Sequence, residues 1–176
     1  MANKLDSIEL DFNLGFFRIK GKWKPEQQEK KAAWELYVEL VTRISVVELK
    51  KSEGILREAL NSLYSLFPTT RQVLRKYGPS IATAHEDADY SLAKLAVYFL
   101  NYELRPILSK WHPLLQDYEK QREKGVSIKA HEDRWEKNQE LRTDLDNTRK
   151  VLIEYSKYLA EAAGIEPLIE ENKGSE

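Results

Sequence analysis

Arg105 and His112 are the one pair in this sequence whose types and spacing could do chemistry together, a guanidinium and an imidazole separated by Pro-Ile-Leu-Ser-Lys-Trp. Each stands directly before a proline, Pro106 or Pro113, and a residue in that position is pushed out of the helical region. Both therefore fall at expected backbone irregularities. In an unbroken helix, residues seven apart share a face but stand ~10 Å apart along the axis. Arg105 and His112 converge only if the backbone breaks between them, or across a dimer. The residues themselves favour a plainer reading. Arg105 then pairs with a carboxylate such as Glu103 or one on a neighbouring helix, and His112 hydrogen-bonds a carbonyl freed by the kink.

Other chemistry has less to stand on. Helical-bundle di-iron sites need paired glutamates and Glu-x-x-His. The residues three before His85, His112 and His131 are Ala82, Ser109 and Ile128, so no metal is expected. The absence of cysteine removes disulfides, thiolate ligands and thiol catalysis together. No Gly-x-Ser-x-Gly, Gly-x-Gly-x-x-Gly or phosphate-cradling glycine loop occurs, and no cofactor is expected. His85, Glu86, Asp87 and Asp89 resemble a metal cluster, and Ala-His-Glu-Asp recurs at 130–133. Acidic residues belong at helix starts, where they oppose unpaired backbone N–H groups, and capping is the better account of both segments. Arg71, Arg75 and Lys76 form a small basic patch that reads as a solvated helix face, or more weakly as a phosphate or RNA site.

The elements that must position these residues are mostly helices. The chain has 176 residues, 41% apolar and 32% charged, with seven glycines and six prolines, which fits amphipathic helices and argues against an all-β fold. Residues 5–23 are the exception. Ile8, Leu10, Phe12 and Leu14 alternate with polar residues, Gly15 interrupts, and Phe17, Ile19 and Trp23 continue, the period-2 pattern of two short strands. Such a hairpin is marginal alone, so it lies on the helices, on a partner or on a second copy.

Lys24-Pro25 opens a first helix that should fade near Leu49. Ser52 is a candidate cap for a second, interrupted at Pro68 and stopped by Gly78-Pro79. Residues 91–118 carry a third, apolar helix, kinked or split into consecutive helices at Pro106 and Pro113, reaching about Lys124 and closed by Gly125. Ser127 caps a last helix that should run unbroken to about Ala163, roughly 50 Å, with Asn138, Leu141, Leu145, Thr148, Leu152, Tyr155, Leu159 and Ala162 as a heptad seam. The expected fold is all-α: an antiparallel up-and-down four-helix bundle over 25–164, with a kinked third helix, a short N-terminal β-arm or hairpin over 1–24 and a flexible acidic tail over 165–176.

A net charge of −1 supports no general attraction to nucleic acid or anionic membrane. No signal peptide or spanning segment is evident, and the lack of cysteine fits a reducing, cytoplasmic setting. The leading functional expectation is a non-catalytic helical module that binds a protein partner or itself, through Phe12, Phe17 and Trp23 of the arm and Trp111 and Trp135 at the helix ends.

The Arg105-x6-His112 spacing resembles the signature of the HEPN helical family, small bundles of which many are metal-independent ribonucleases acting as dimers. The resemblance rests on those two residues. It implies His112 as general acid/base at an RNA 2′-hydroxyl, Arg105 holding the scissile phosphate, and a two-fold interface. Pro106 stands where that family usually has a polar residue. An accessory role in a bacterial stress or defence system accompanies either expectation.

Overall fold

The structure is a computed structural model that describes residues 7–51 and 53–169. It is mostly helical, with a two-stranded antiparallel hairpin at its N-terminal end. Strand β1 (Ile8–Leu14) pairs with β2 (Phe17–Trp23) in a register that sets Leu14 opposite Phe17 and Ile8 opposite Trp23. Alternation decides the faces: Ile8, Leu10, Phe12 and Leu14 are all buried while Glu9, Asp11 and Asn13 are exposed. The two-residue turn has Gly15 at φ 57°, the glycine-first arrangement of a type II′ hairpin. The arm lies on its own helices. Phe12 stacks on Tyr158 with centroids 4.9 Å apart, and the Tyr158 hydroxyl meets the backbone of Asp11 at the free edge of β1.

The helices are α1 (Gln27–Val41), α2 (Leu56–Tyr64), α3 (Leu66–Tyr77), α4 (Leu92–Tyr98), α5 (Arg105–Glu119), α6 (Ile128–Asp133) and α7 (Asn138–Ala163), with a π-helical turn over Phe99–Leu104 joining α4 to α5. Leu141, Leu145, Thr148, Leu152, Tyr155, Leu159 and Ala162 of the expected seam are buried; Asn138 is its N-terminal residue and not part of the core. Hairpin and helices share one continuous apolar core.

Several boundaries differ from expectation. Helix α1 stops at Val41, followed by a single 3₁₀ turn over Ile44–Val46, so it does not extend to Leu49. Pro68 does not interrupt a helix: the break falls at Ser65, and Pro68 sits in the first turn of α3, where its missing N–H has no intrahelical partner to lose. The apolar central segment departs from α-helical geometry once. Pro106 removes the donor that the Tyr102 carbonyl would need, and the π-helical turn occupies the residues just before it. Pro113 lies inside an uninterrupted α5 that ends at Glu119, before Lys124. The last helix is divided. Ser127 does cap, accepting from the Ala130 N–H at 3.1 Å, but it caps only the six-residue α6. Gly164, at φ 75°, closes α7. Ser52 and residues 170–176 of the expected tail lie outside the described residues.

Three buried carboxylates tie segments that are distant in sequence. Glu29 accepts the Leu92 N–H at 2.6 Å, the Glu26 N–H at 3.0 Å and the Trp23 indole N–H at 3.1 Å. Glu103 accepts the Gly15 N–H at 2.9 Å and the Thr148 hydroxyl. Glu132, with 0% exposure, accepts the N–H groups of Leu56 at 2.8 Å and Arg57 at 3.3 Å. It thus caps α2, where Ile55 in the N-cap position has no side-chain acceptor to offer. Of the two Ala-His-Glu-Asp segments, the one at 130–133 thus satisfies backbone donors through Glu132, in another element, whereas in the one at 84–87 Asp87 pairs with the Lys24 side chain at 3.2 Å. Asp89, two residues beyond, accepts the Lys22 N–H at 2.8 Å.

Two substitutions test this packing. A Cβ on Gly15 would stand 2.5 Å from the Tyr102 carbonyl oxygen, on a backbone at φ 57°, so Gly15→Ala should cost about 2 kcal/mol or more in denaturant unfolding. Tyr155 is buried, and its hydroxyl has no partner among the described residues. Tyr155→Phe should therefore leave stability unchanged or raise it, by about 1 kcal/mol.

A third test concerns pH. Burial is the largest influence on Glu29, Glu103 and Glu132 and pushes each carboxyl above its ordinary value, against the hydrogen bonds that lower it. The folded state then holds these protons more tightly than the unfolded chain. Their contribution is fully present below the ordinary glutamate range and is lost as pH rises through the raised folded value. In paired unfolding curves, wild type should lose stability relative to Glu132→Gln as pH rises above the ordinary glutamate value of 4.5.

Candidate functional site

Helices α2 and α5 carry polar residues at matched spacings: Arg57, Asn61 and Tyr64 on one, His112, Gln116 and Glu119 on the other. Residues at i, i+4 and i+7 share one face of a helix. The two helices pack so that Arg57 meets Glu119 while Tyr64 meets His112, an antiparallel pairing. Together the six side chains line an open cleft of about 500 Å³.

Arg57 organises the cleft. Its Nε and Nη2 donate to the two carboxylate oxygens of Glu119 at 2.9 and 3.0 Å, the two-pronged geometry a guanidinium makes best. Its Nη1 lies 2.7 Å from His112 Nδ1. A guanidinium only donates, so Nδ1 accepts and the ring proton of neutral His112 sits on Nε2. That Nε2 is buried and has no hydrogen-bond partner among the described residues. The Tyr64 ring stands edge-on to the imidazole, at 89° and 5.8 Å between centroids. Burial first, and then the charge of Arg57, hold His112 below its ordinary pKa; the Glu119 carboxylate opposes them. The site is thus an ion pair closed on itself, beside a neutral imidazole. Below the Arg57–Glu119 pair a second hollow of about 410 Å³ opens between Ile55, Ile128 and His131.

Arg105 is not in this cleft. It begins α5, seven residues before His112 with no break between them, which separates their backbones by ~10 Å along the axis. Arg105 is exposed, donates from Nε to Asn101 at 3.1 Å and stands 5.4 Å from the centre of the Phe67 ring. Glu103, suggested as its partner, is committed to Gly15 and Thr148. His112 takes the Arg57 guanidinium in place of a carbonyl released by a kink.

The five aromatic side chains expected to bind a partner are mostly in the core. Phe12, Trp23, Trp111 and Trp135 are 3%, 0%, 0% and 7% exposed. Trp111 donates to Asp144 at 2.8 Å and meets Trp135 edge-on at 5.9 Å; Trp135 also stacks on Tyr118 at 5.3 Å. Phe17 is half-buried and stacks on Tyr102 at 4.7 Å. The basic patch is exposed and in part neutralised: Lys76 pairs with Glu35, which also accepts from the Tyr77 hydroxyl, and Arg71 lies over Phe67.

Arg57, Asn61, Tyr64, Gln116 and Glu119 escaped the sequence reading. Their signal was the identical spacing on two segments, yet nothing in the sequence paired those segments. Among the described residues, no group of three or more His, Asp or Glu is placed to hold a metal ion. No helix among them is long and apolar enough to cross a membrane.

His112 titrates in a predictable direction. Removing the guanidinium with Arg57→Met should raise its pKa toward the ordinary 6.5, and Glu119→Gln should lower it further, both read from the imidazole proton shifts by NMR. Because the folded value is depressed, the stability from neutral His112 is present above the ordinary value and lost as pH falls through the folded one. His112→Gln should remove that acid-side loss.

Comparison of this chain with protein-family models, with curated proteins and with solved structures finds no match in any of the three.

Proposed function

We propose that this chain is a non-catalytic helical interaction or regulatory module, an antiparallel four-helix bundle that docks on a protein partner or a second copy through the tip of its hairpin. The observation that carries the reading is Phe16. It projects from the β1–β2 turn fully exposed, against a general pattern in which the strand's apolar residues are buried. Behind it stands an aromatic cluster: Phe17 meets Tyr98 edge-on at 5.2 Å, and Tyr98 meets Tyr102 edge-on at 5.3 Å. Tyr102 is 41% exposed. An apolar patch of this kind, dominated by aromatics and held at a rigid turn, has the composition of an interface centre. The Gly15–Glu103 bond holds the tip in place, so little ordering entropy remains to oppose docking. In its simplest form the module is a cytoplasmic homodimer, an accessory subunit of a bacterial stress or defence system.

A second reading is a HEPN-like, metal-independent ribonuclease acting as a homodimer. It is favoured by the position of His112, the general acid/base of that reading, in a cleft beside a guanidinium. Arg57 stands where Arg105 was expected, and Arg105 would have to come from a second copy. Against it, Glu119 already neutralises Arg57.

One pair of measurements separates the two. Light scattering across concentration should show a dimer that Phe16→Ser weakens about tenfold or more without lowering the melting temperature, and mixed RNA should remain intact. RNA cleavage by wild type that His112→Gln abolishes would overturn the first reading in favour of the second. A dimer that forms equally well with Phe16→Ser would remove the hairpin tip from the interface.

A further inference from the structure

The cleft between α2 and α5 has no role in docking through the hairpin, and its chemistry points to a small ligand. We infer that it binds a neutral saccharide, one sugar ring stacked on Tyr64 and hydrogen-bonded by Asn61, Gln116 and the Arg57–Glu119 pair.

The ligand class follows from what the cleft offers and what it withholds. Among the described residues lining it, the charges are Arg57 and Glu119 alone, and each satisfies the other through two short bonds. A phosphate or carboxylate ligand would meet no unpaired cation, and a cationic ligand no unpaired carboxylate; either would arrive desolvated and uncompensated. Burial and Arg57 keep His112 neutral as well. The cleft therefore suits a ligand without charge.

That ligand must also be polar and must carry an apolar face. Asn61 and Gln116 are exposed, and neither amide bonds another described side chain; each supplies a donor and an acceptor. Tyr64 is 59% exposed and offers the face of one aromatic ring. His112 Nε2–H is buried with no acceptor among the described residues and lies against the Tyr64 ring, so a ligand seated on that ring is felt at the imidazole. A sugar ring answers all of these demands. Its hydroxyls both donate and accept, its C–H face is apolar, and it bears no charge.

A nucleobase shares the flat face. Nucleotides and RNA, however, bring phosphates for which the cleft has no free cation, and the cleft presents a single ring on an open surface rather than a slot between two.

The test is titration of the full chain with glucose, galactose, ribose and N-acetylglucosamine, followed by backbone amide and His112 imidazole NMR signals. Adenosine and a short RNA oligonucleotide form parallel arms. The expected result is saturable binding of at least one sugar, with shifts confined to α2 and α5 and a displaced His112 Nε2–H signal. Tyr64→Ala and Asn61→Ala should each weaken it about tenfold. Both positions are exposed, so the fold should survive; unchanged amide spectra elsewhere confirm that it has. Arg105→Ala, outside the cleft, should leave binding unaltered. Three outcomes would overturn the inference: no saturable shift with any sugar up to about 50 mM, binding undiminished by Tyr64→Ala, or adenosine or RNA occupying the cleft in preference to every sugar.

Discussion

A buried carboxylate that receives backbone N–H groups is the interaction on which the rest of this fold depends. Taking a carboxylate out of water costs several kcal/mol unless donors replace the water. Unpaired N–H groups at a helix start or a turn carry their own penalty when buried. Each need meets the other at Glu29, Glu103 and Glu132. The result is long-range order: Glu29 joins the end of β2 to the start of α4, Glu103 joins the hairpin turn to the π-helical turn, and Glu132 joins α6 to the start of α2. Apolar burial supplies the larger share of stability, but it is not directional. The carboxylates decide which segments meet, and so they set the position of both candidate surfaces.

The hairpin shows this dependence most plainly. Two strands alone are marginal in water, and here their inner face completes the helical core while Glu103 holds their turn. Pro106 contributes from the other side. By denying a donor to the Tyr102 carbonyl it accompanies a local widening of the helix, and Gly15 approaches that carbonyl so closely that no side chain would fit. A proline in a helix and a glycine in a turn, 91 positions apart, thus share one constraint. Phe16 follows Gly15 and is left facing solvent as a consequence.

The cleft is a different kind of arrangement. Arg57 reaches both Glu119 and His112, and so converts three titratable groups into an ion pair and a neutral ring. Its backbone N–H is itself held by Glu132, which places the start of α2, and with it the polar stripe, against α5. The cleft inherits its geometry from a carboxylate that is not one of its lining residues.

Periodicity alone determined much here. The alternation over residues 8–14, the bend at Gly15, the seam from Leu141 to Ala162 and the stop at Gly164 were legible because burial on one face imposes a repeat of two or about 3.6 on the residues that share it. Only the tertiary structure decided the pairings. That Arg57 and not Arg105 faces His112, that Glu132 caps α2 rather than its own helix, and that Trp23, Trp111 and Trp135 are core residues all depend on which helix lies beside which. A repeat reports that a face is covered and not what covers it. Ion pairs and caps act over a few ångströms between residues 55 to 88 positions apart, and no local pattern records such distances.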